Sequence, residues 1–208
     1  MKDYECTEPR FLDDVKNHQI NIVKDDGAHR FVRFKRADNS SYWFDLITWP
    51  GFLCISGDCG TYVFSRTEDM FDFFRMKNND FNKNKDRLLN INPDYWGEKL
   101  EAIGRQGYMK FDKDAFKSRV KEHFENYMID DLDDEEKNAL WDAIKNDVIY
   151  HANDEHAAYD AVYTFDYEDK RFVDFLDGGG TEKYTFHYIW NLYAIVWGIK
   201  KYDEAKND

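Results

Sequence analysis

Residues 42–66, YWFDLITWPGFLCISGDCGTYVFSR, constrain the fold more than any other stretch of this chain. Tyr42 to Thr48 and Phe52 to Ser56 read as short strands joined at Trp49-Pro50-Gly51, where Pro fixes φ and Gly admits positive φ. Ser56-Gly57-Asp58-Cys59-Gly60 supplies a second turn, and Thr61 to Arg66 reads as the next strand. Upstream, Arg30 to Arg36 interleaves Phe31, Val32 and Phe34 with Arg30, Arg33, Lys35 and Arg36, so residues 30–66 form an antiparallel meander of four expected strands. A meander rich in Trp43, Phe44, Leu46, Trp49, Phe52, Leu53, Ile55, Tyr62 and Phe64 must have one face covered, or it would aggregate.

The cover is expected from short helices. Glu68 to Met76 reads as a helix capped by Thr67, with Met70, Phe71, Phe73 and Phe74 too apolar to lie free. Asn78 to Asn90 is polar and Asn-rich, a surface loop by composition, and Pro93 then opens a helix running to Ile103. Ahead of the meander, Phe11 to Val23 holds one weak helix or strand, followed by a turn at Asp25-Asp26-Gly27.

Beyond Asp112 the period becomes helical. Phe116, Val120, Phe124 and Tyr127 make one stripe, and Leu140, Ile144 and Val148 make another, widened by Trp141 and Ile149. Residues 155–167 begin as helix and finish as strand, and Asp177-Gly178-Gly179-Gly180 is a loop. Tyr184 to Tyr202 is apolar almost all round, the mark of a buried post or of a packing surface between copies. The fold class is therefore α+β, an N-terminal antiparallel β-meander with short covering helices followed by an acidic, mainly helical part. The expected division is a sheet part over 1–110, with helices at about 68–76 and 93–103, and a helical part over 111–208 packed on it as one body. Trp43, Phe44, Trp49, Phe52, Ile55, Tyr62, Phe64, Phe71, Phe74 and Trp96 are the expected core of the first part. Phe116, Val120, Phe124, Leu140, Ile144, Val148, Trp190, Tyr193 and Trp197 are that of the second.

Charge separates the same two parts. Residues 130–177 hold 16 Asp or Glu against four Lys or Arg, whereas residues 1–129 hold 22 against 21 and residues 178–208 four of each, within a net charge of −13. Such a surface repels a nucleic-acid backbone, so direct nucleic-acid binding by the acidic face is excluded. Part of the acidity is local, because Asp130-Asp131-Leu132-Asp133-Asp134-Glu135-Glu136 precedes a helix whose N-terminal dipole favours acids by roughly 0.3–1 kcal/mol each. The rest of Asp130, Asp131, Asp133, Asp134, Glu135, Glu136, Asp142, Asp154 and Glu155 makes an extended negative surface, either a solvating face or a partner-binding one matched to a basic nucleic-acid-handling channel.

The remaining chemistry is thin. Cys54 and Cys59, with four residues between them, lack the second close pair of a zinc ribbon, since only Cys6 remains. The Asp-rich run has Leu132 at a ligand position and no Gly, so it is not an EF-hand loop. His151, Asp154, Glu155 and His156 have the composition of a metal or acid/base site without the HExxH order. Asp177-Gly178-Gly179-Gly180-Thr181 lacks the phosphate-loop lysine, and Asp94, Glu98 and Lys99 carry nuclease residue types on an expected helix. No catalytic residue, metal or cofactor is therefore expected. Three cysteines and the absence of an apolar leader in MKDYECTEPR point to an intracellular protein, and the run Tyr188 to Ile199 is too short for a bilayer span.

TWPGFLCISGDCGTYVFSR, followed by EDMFDFFR and INPDYWGEKLEA, resembles a recurring block of uncharacterised phage and prophage accessory proteins, over residues 42–103. That family is similar to small proteins that phages carry, some of which counter host defence. The resemblance implies a phage-encoded inhibitor in the cytoplasm of the infected bacterium. Its partner would be a defence complex with a basic surface, a CRISPR effector, a Gabija-type complex or a restriction enzyme, bound stoichiometrically. The alternatives are a small hydrolase or nuclease acting on nucleic acid or a nucleotide signal, with Asp45, Asp58, His151 or His156 at its site, and an oligomerisation protein that makes a homodimer through the Tyr184 to Tyr202 helix.

Overall fold

A computed structural model describes residues 5–75, 88–105 and 107–207. The chain forms two compact units, residues 1–108 with 184–208, and residues 109–183.

The first unit is built on six antiparallel strands in sequence order: β1 Gln19–Asp26, β2 His29–Lys35, β3 Phe44–Trp49, β4 Phe52–Gly57, β5 Gly60–Ser65 and β6 Leu100–Ile103. The expected strands are β2 to β5, and β1 and β6 extend them on either edge. Trp49 pairs with Phe52 across Pro50-Gly51, and Gly51 takes φ 84°, the conformation a Pro-Gly turn demands at its second central residue. At the next turn Gly57 faces Gly60, and a Cβ on Gly57 would lie 2.1 Å from the Trp43 carbonyl oxygen, so no larger residue fits.

Alternation sends Val32, Phe34, Phe44, Leu46, Leu53, Ile55, Tyr62 and Phe64 to one face, where all are fully buried. This corrects the expected core. Trp43 and Phe52 are half-buried and Trp49 is 37% exposed, because neighbours in a strand point to opposite faces and Phe44 and Leu53 take the inward positions.

Four helices cover the inward face. α1 (Glu8–Val15) presents Phe11 and Val15, and α2 (Met70–Phe74) buries Met70, Phe71, Phe73 and Phe74. The α2 cap is Asp69, whose side chain accepts from the Phe71 N–H; Thr67 does not serve as cap. α3 (Pro93–Gly97) is capped by Asn92 and buries Trp96. The expected helix to Ile103 ends at Gly97, and Leu100–Ile103 becomes β6 because pairing with Tyr62 to Phe64 outweighs the helical preference of Leu-Glu-Ala-Ile. Residues 78–87 of the expected loop lie outside the described residues.

The fourth helix, α7 (Phe186–Asn207), is the post of this unit and not of the helical one. Trp190, Tyr193 and Trp197, expected in the second core, pack with the first: Trp190 meets Phe11 and Phe44 with ring centres 5.2 and 5.7 Å apart, and Trp197 meets Phe34 at 5.5 Å. The helix approaches the sheet closely at Gly198, where a Cβ would sit 2.9 Å from Leu46 and 3.2 Å from Phe34. A polar clamp completes the seat, with Asn191 donating to the carbonyls of Cys59 (2.8 Å) and His187 (2.7 Å).

The second unit is helical. It holds α4 (Lys113–Tyr127), α5 (Asp134–Ile144) and α6 (Glu155–Thr164), with the short strand β7 (Met109–Phe111) paired to β8 (Glu182–Tyr184). α5 runs on into a π-helical segment, Lys145–Ile149. Phe116, Val120, Leu140, Ile144 and Val148 are buried as their spacing requires, joined by Met128, Ala158, Val162, Phe165 and Phe175. Phe124 is only half-buried and Tyr127 is 70% exposed, so the α4 stripe stops short of its last turn. Residues 155–164 are helix throughout.

Candidate functional site

Asp130, Asp131, Asp133, Asp134, Glu135, Glu136, Asp142, Asp154 and Glu155 are all exposed. They divide into two sets by what their carboxylates do. Asp133 caps α5, accepting from the Glu135 and Glu136 N–H groups at 2.9 Å each, while Glu136 accepts from the Asp133 N–H at 2.8 Å. This is a reciprocal capping box, and it satisfies backbone donors that the helix start leaves unpaired. Asp154 does the same for α6 through the Ala157 N–H (2.9 Å), and Asp142 pairs with Lys145 (2.5 Å). Asp130, Asp131, Asp134, Glu135 and Glu155 have no side-chain partner among the described residues, so five carboxylates remain for solvent or a second molecule.

The whole unit shares this imbalance. Residues 109–183 carry 21 Asp or Glu and 10 Lys or Arg, and its cations are largely used at home: Lys117 pairs with Asp114, Arg119 with Glu122, Lys121 with Glu125, Arg171 with Asp166 and Lys183 with Asp112. Residues 1–108 and 184–208 carry 21 acids and 19 bases.

The same unit, residues 109–183, carries exposed rings. Tyr127 is 70% exposed at the last turn of α4, Tyr150 67% exposed after the π-helical segment, and Tyr163 89% exposed on α6. The Tyr150 N–H donates to the Lys145 carbonyl at 3.0 Å, five residues back, so the widened turn holds this ring's backbone in place. Tyrosine is among the residues enriched at protein interfaces. Sequence periodicity missed them, assigning Tyr127 to the buried stripe; its position beside the helix terminus was the available signal.

The residues of the enzymatic alternative divide between the two units. Asp45 is buried and forks to Arg33 (2.8 and 2.7 Å), and Asp58 accepts from the Tyr42 N–H (2.7 Å). His151 and His156 are exposed in the second unit. Tyr184 donates to Asp94 at 2.5 Å, which occupies the carboxylate considered beside Glu98 and Lys99. Cys59 is buried and Cys6 and Cys54 half-buried; burial pushes the Cys6 thiol up to about 12, with Asp14 adding to the rise, and raises Cys59 and Cys54 as well. Thiols held protonated in this way are poor nucleophiles and poor ligands. No group of three or more His, Cys, Asp or Glu among the described residues is placed to hold a metal ion. No helix among them is long and apolar enough to cross a membrane.

No family model, curated protein or solved structure matches the chain.

Proposed function

We propose that this chain is a stoichiometric inhibitor that seats the acidic surface of residues 109–183 on a basic, nucleic-acid-handling surface of another protein. The observation that carries the reading is the set of five exposed carboxylates, Asp130, Asp131, Asp134, Glu135 and Glu155, that no cap or ion pair among the described residues uses, in the same unit as the exposed rings of Tyr127, Tyr150 and Tyr163. Carboxylates complementary to a basic channel speed encounter and set register, and buried tyrosines supply affinity. The resemblance over residues 42–103 supports a bacterial defence complex as the partner, a CRISPR effector, a Gabija-type complex or a restriction complex, and with it a role in the cytoplasm of a phage-infected cell.

The test is a pull-down of the tagged full chain from a lysate of bacteria carrying defence systems, read by mass spectrometry, beside the variant Asp130→Lys, Asp131→Lys, Asp134→Lys, Glu135→Lys. Asp133 and Glu136 stay in place so that the capping box survives. Retention of a basic nucleic-acid-handling complex by the wild type and its loss from the variant supports the proposal. Equal retention by both defeats it.

A further inference from the structure

The turn between β2 and β3 builds a cleft of about 390 Å³ whose lining includes Arg33, Lys35, Arg36, Asp38, Ser40 and Trp43. It lies in the near-neutral first unit, and it is independent of the acidic surface and of the function proposed for it.

The cations of the cleft are held but not exhausted. Asp45 forks Arg33 through Nε (2.8 Å) and Nη2 (2.7 Å), and Asp38 forks Arg36 through the same two nitrogens (2.9 and 2.8 Å). Each fork leaves Nη1, with its two N–H groups, without a protein partner among the described residues. Lys35 is exposed and has no carboxylate partner among them. With Asp45 included, three cations meet two carboxylates, an excess of one positive charge. Beside this charge stands a flat apolar wall. The Arg33 guanidinium lies 5.6 Å from the Trp43 ring centre and 5.5 Å from that of Phe31, and Trp43 itself is half-exposed.

The cleft is set before any ligand arrives. Tyr42 takes φ 59°, a left-handed conformation that a tyrosine adopts only when its surroundings impose it. Three contacts do so: its N–H donates to Asp58 (2.7 Å), its carbonyl meets His18 Nε2 (2.9 Å), and its ring stacks on Trp190 with centres 5.6 Å apart. The Asp58 N–H in turn donates to the Trp43 carbonyl (3.1 Å), and the Ser41 N–H to Asn39 Oδ1 (2.9 Å). Strain held in this manner fixes the backbone that carries Trp43, and pre-organisation lowers the ordering cost of binding.

We infer that this cleft binds a nucleoside phosphate, with the base against Trp43 and the phosphate at Lys35 and the Nη1 groups of Arg33 and Arg36. A bare anion leaves the indole unused, and an uncharged ring leaves the cations unused; a nucleotide uses both, the combination by which single-stranded nucleic acids are held. The volume falls in the lower part of the ~300–1,000 Å³ span of small-molecule sites, so the occupant is one nucleotide, free or at the end of a strand.

The experiment is isothermal titration of the full chain with AMP, dTMP, adenosine, inorganic phosphate and a short oligo(dT). AMP and dTMP bind, while adenosine and phosphate bind at least about tenfold more weakly, since each lacks half of the contacts. Lys35→Glu, at an exposed side chain, and Trp43→Phe, which keeps a ring in place, serve as variants with unchanged circular dichroism. Lys35→Glu lowers nucleotide affinity about tenfold, and Trp43→Phe lowers it less. Oligo(dT) binding tighter than dTMP makes the source a single strand, and equal or weaker binding makes it a free nucleotide. Absence of binding by both nucleotides at millimolar concentration, or nucleotide affinity unchanged by Lys35→Glu, overturns the inference.

Discussion

The two units solve the same problem with opposite resources. Residues 1–108 and 184–208 bury a wall of rings, Phe11, Phe34, Phe44, Tyr62, Phe64, Phe71, Tyr188 and Trp190, all fully inaccessible, and balance their surface charge to within two. Residues 109–183 bury fewer rings, Phe116, Phe165 and Phe175 among Val120, Leu140, Ile144, Val148 and Ala158, and carry 11 more acids than bases. Aromatic burial provides the larger stabilisation per residue, whereas surplus charge of one sign opposes compaction and favours encounter with the opposite sign. The first unit is thus the ring-packed one and the second the charged one, and substitutions separate the two roles.

The largest effect is expected in the aromatic core. Phe44→Ala removes a ring that stacks on Phe34 at 4.7 Å and meets Trp190 at 5.7 Å, and costs about 3–5 kcal/mol in urea unfolding. Tyr163→Ala in the acidic unit stays within about 0.5 kcal/mol, because that ring is 89% exposed. Comparable losses from both would erase the distinction between the units.

Next comes Asp69, which caps α2 and forks the buried Arg30 at 2.9 and 2.7 Å while the Arg30 guanidinium lies over the Phe71 ring at 4.7 Å. Asp69→Ala costs roughly 2–3 kcal/mol, less than a fully buried pair because the Asp69 side chain is 27% exposed. Burial works to raise the Asp69 carboxyl, and the Arg30 hydrogen bonds outweigh it, so the net position lies below the ordinary carboxylate range. A group lowered on folding contributes stability above its unfolded pKa and loses it as pH falls through the folded one. Acid unfolding below about pH 4 therefore flattens in Asp69→Asn, measured by urea midpoint against pH.

A smaller effect divides the acids themselves. Asp133→Ala breaks the capping box and costs about 1 kcal/mol, whereas Asp131→Ala, with no cap to lose, stays within about 0.5 kcal/mol. Equal costs would mean that the five uncommitted carboxylates also hold the fold.

The smallest effect is the pH response of the charged unit. His123 is buried against Phe172 and Phe175, and burial, followed by the charge of Arg119, lowers its pKa. Its folded value lies below its unfolded value, so the neutral ring contributes stability above about pH 6.5 that is lost as pH falls through the folded pKa. His123→Phe removes this dependence, and an unchanged pH profile would show that the imidazole is not the responsible group.

What could be read in the sequence followed how local its cause was. β3 to β5 were legible because Pro50-Gly51 and Gly57 to Gly60 dictate turns by backbone geometry alone. β6 was not, because Leu100–Ile103 is a strand only through pairing with β5. The outward turn of Trp43, Trp49 and Phe52 followed from alternation once Phe44 and Leu53 were inward, a choice composition does not make. α7 read as buried from its apolar circumference, but its partner depended on Gly198, whose bare backbone admits Leu46 and Phe34. The acidic surface was legible by counting. The division of its carboxylates into caps and free groups needed the helix starts in place, and the exposed tyrosines needed the burial of their neighbours.

The most direct measurement is a titration of the activity of the complex proposed as partner with increasing amounts of the full chain, run beside the variant Asp130→Lys, Asp131→Lys, Asp134→Lys, Glu135→Lys. The account predicts that activity falls linearly to an endpoint at equimolar protein, and that the variant, folded by circular dichroism, leaves activity untouched. Complete loss at far below equimolar protein, or inhibition by the variant equal to that of the wild type, would contradict it.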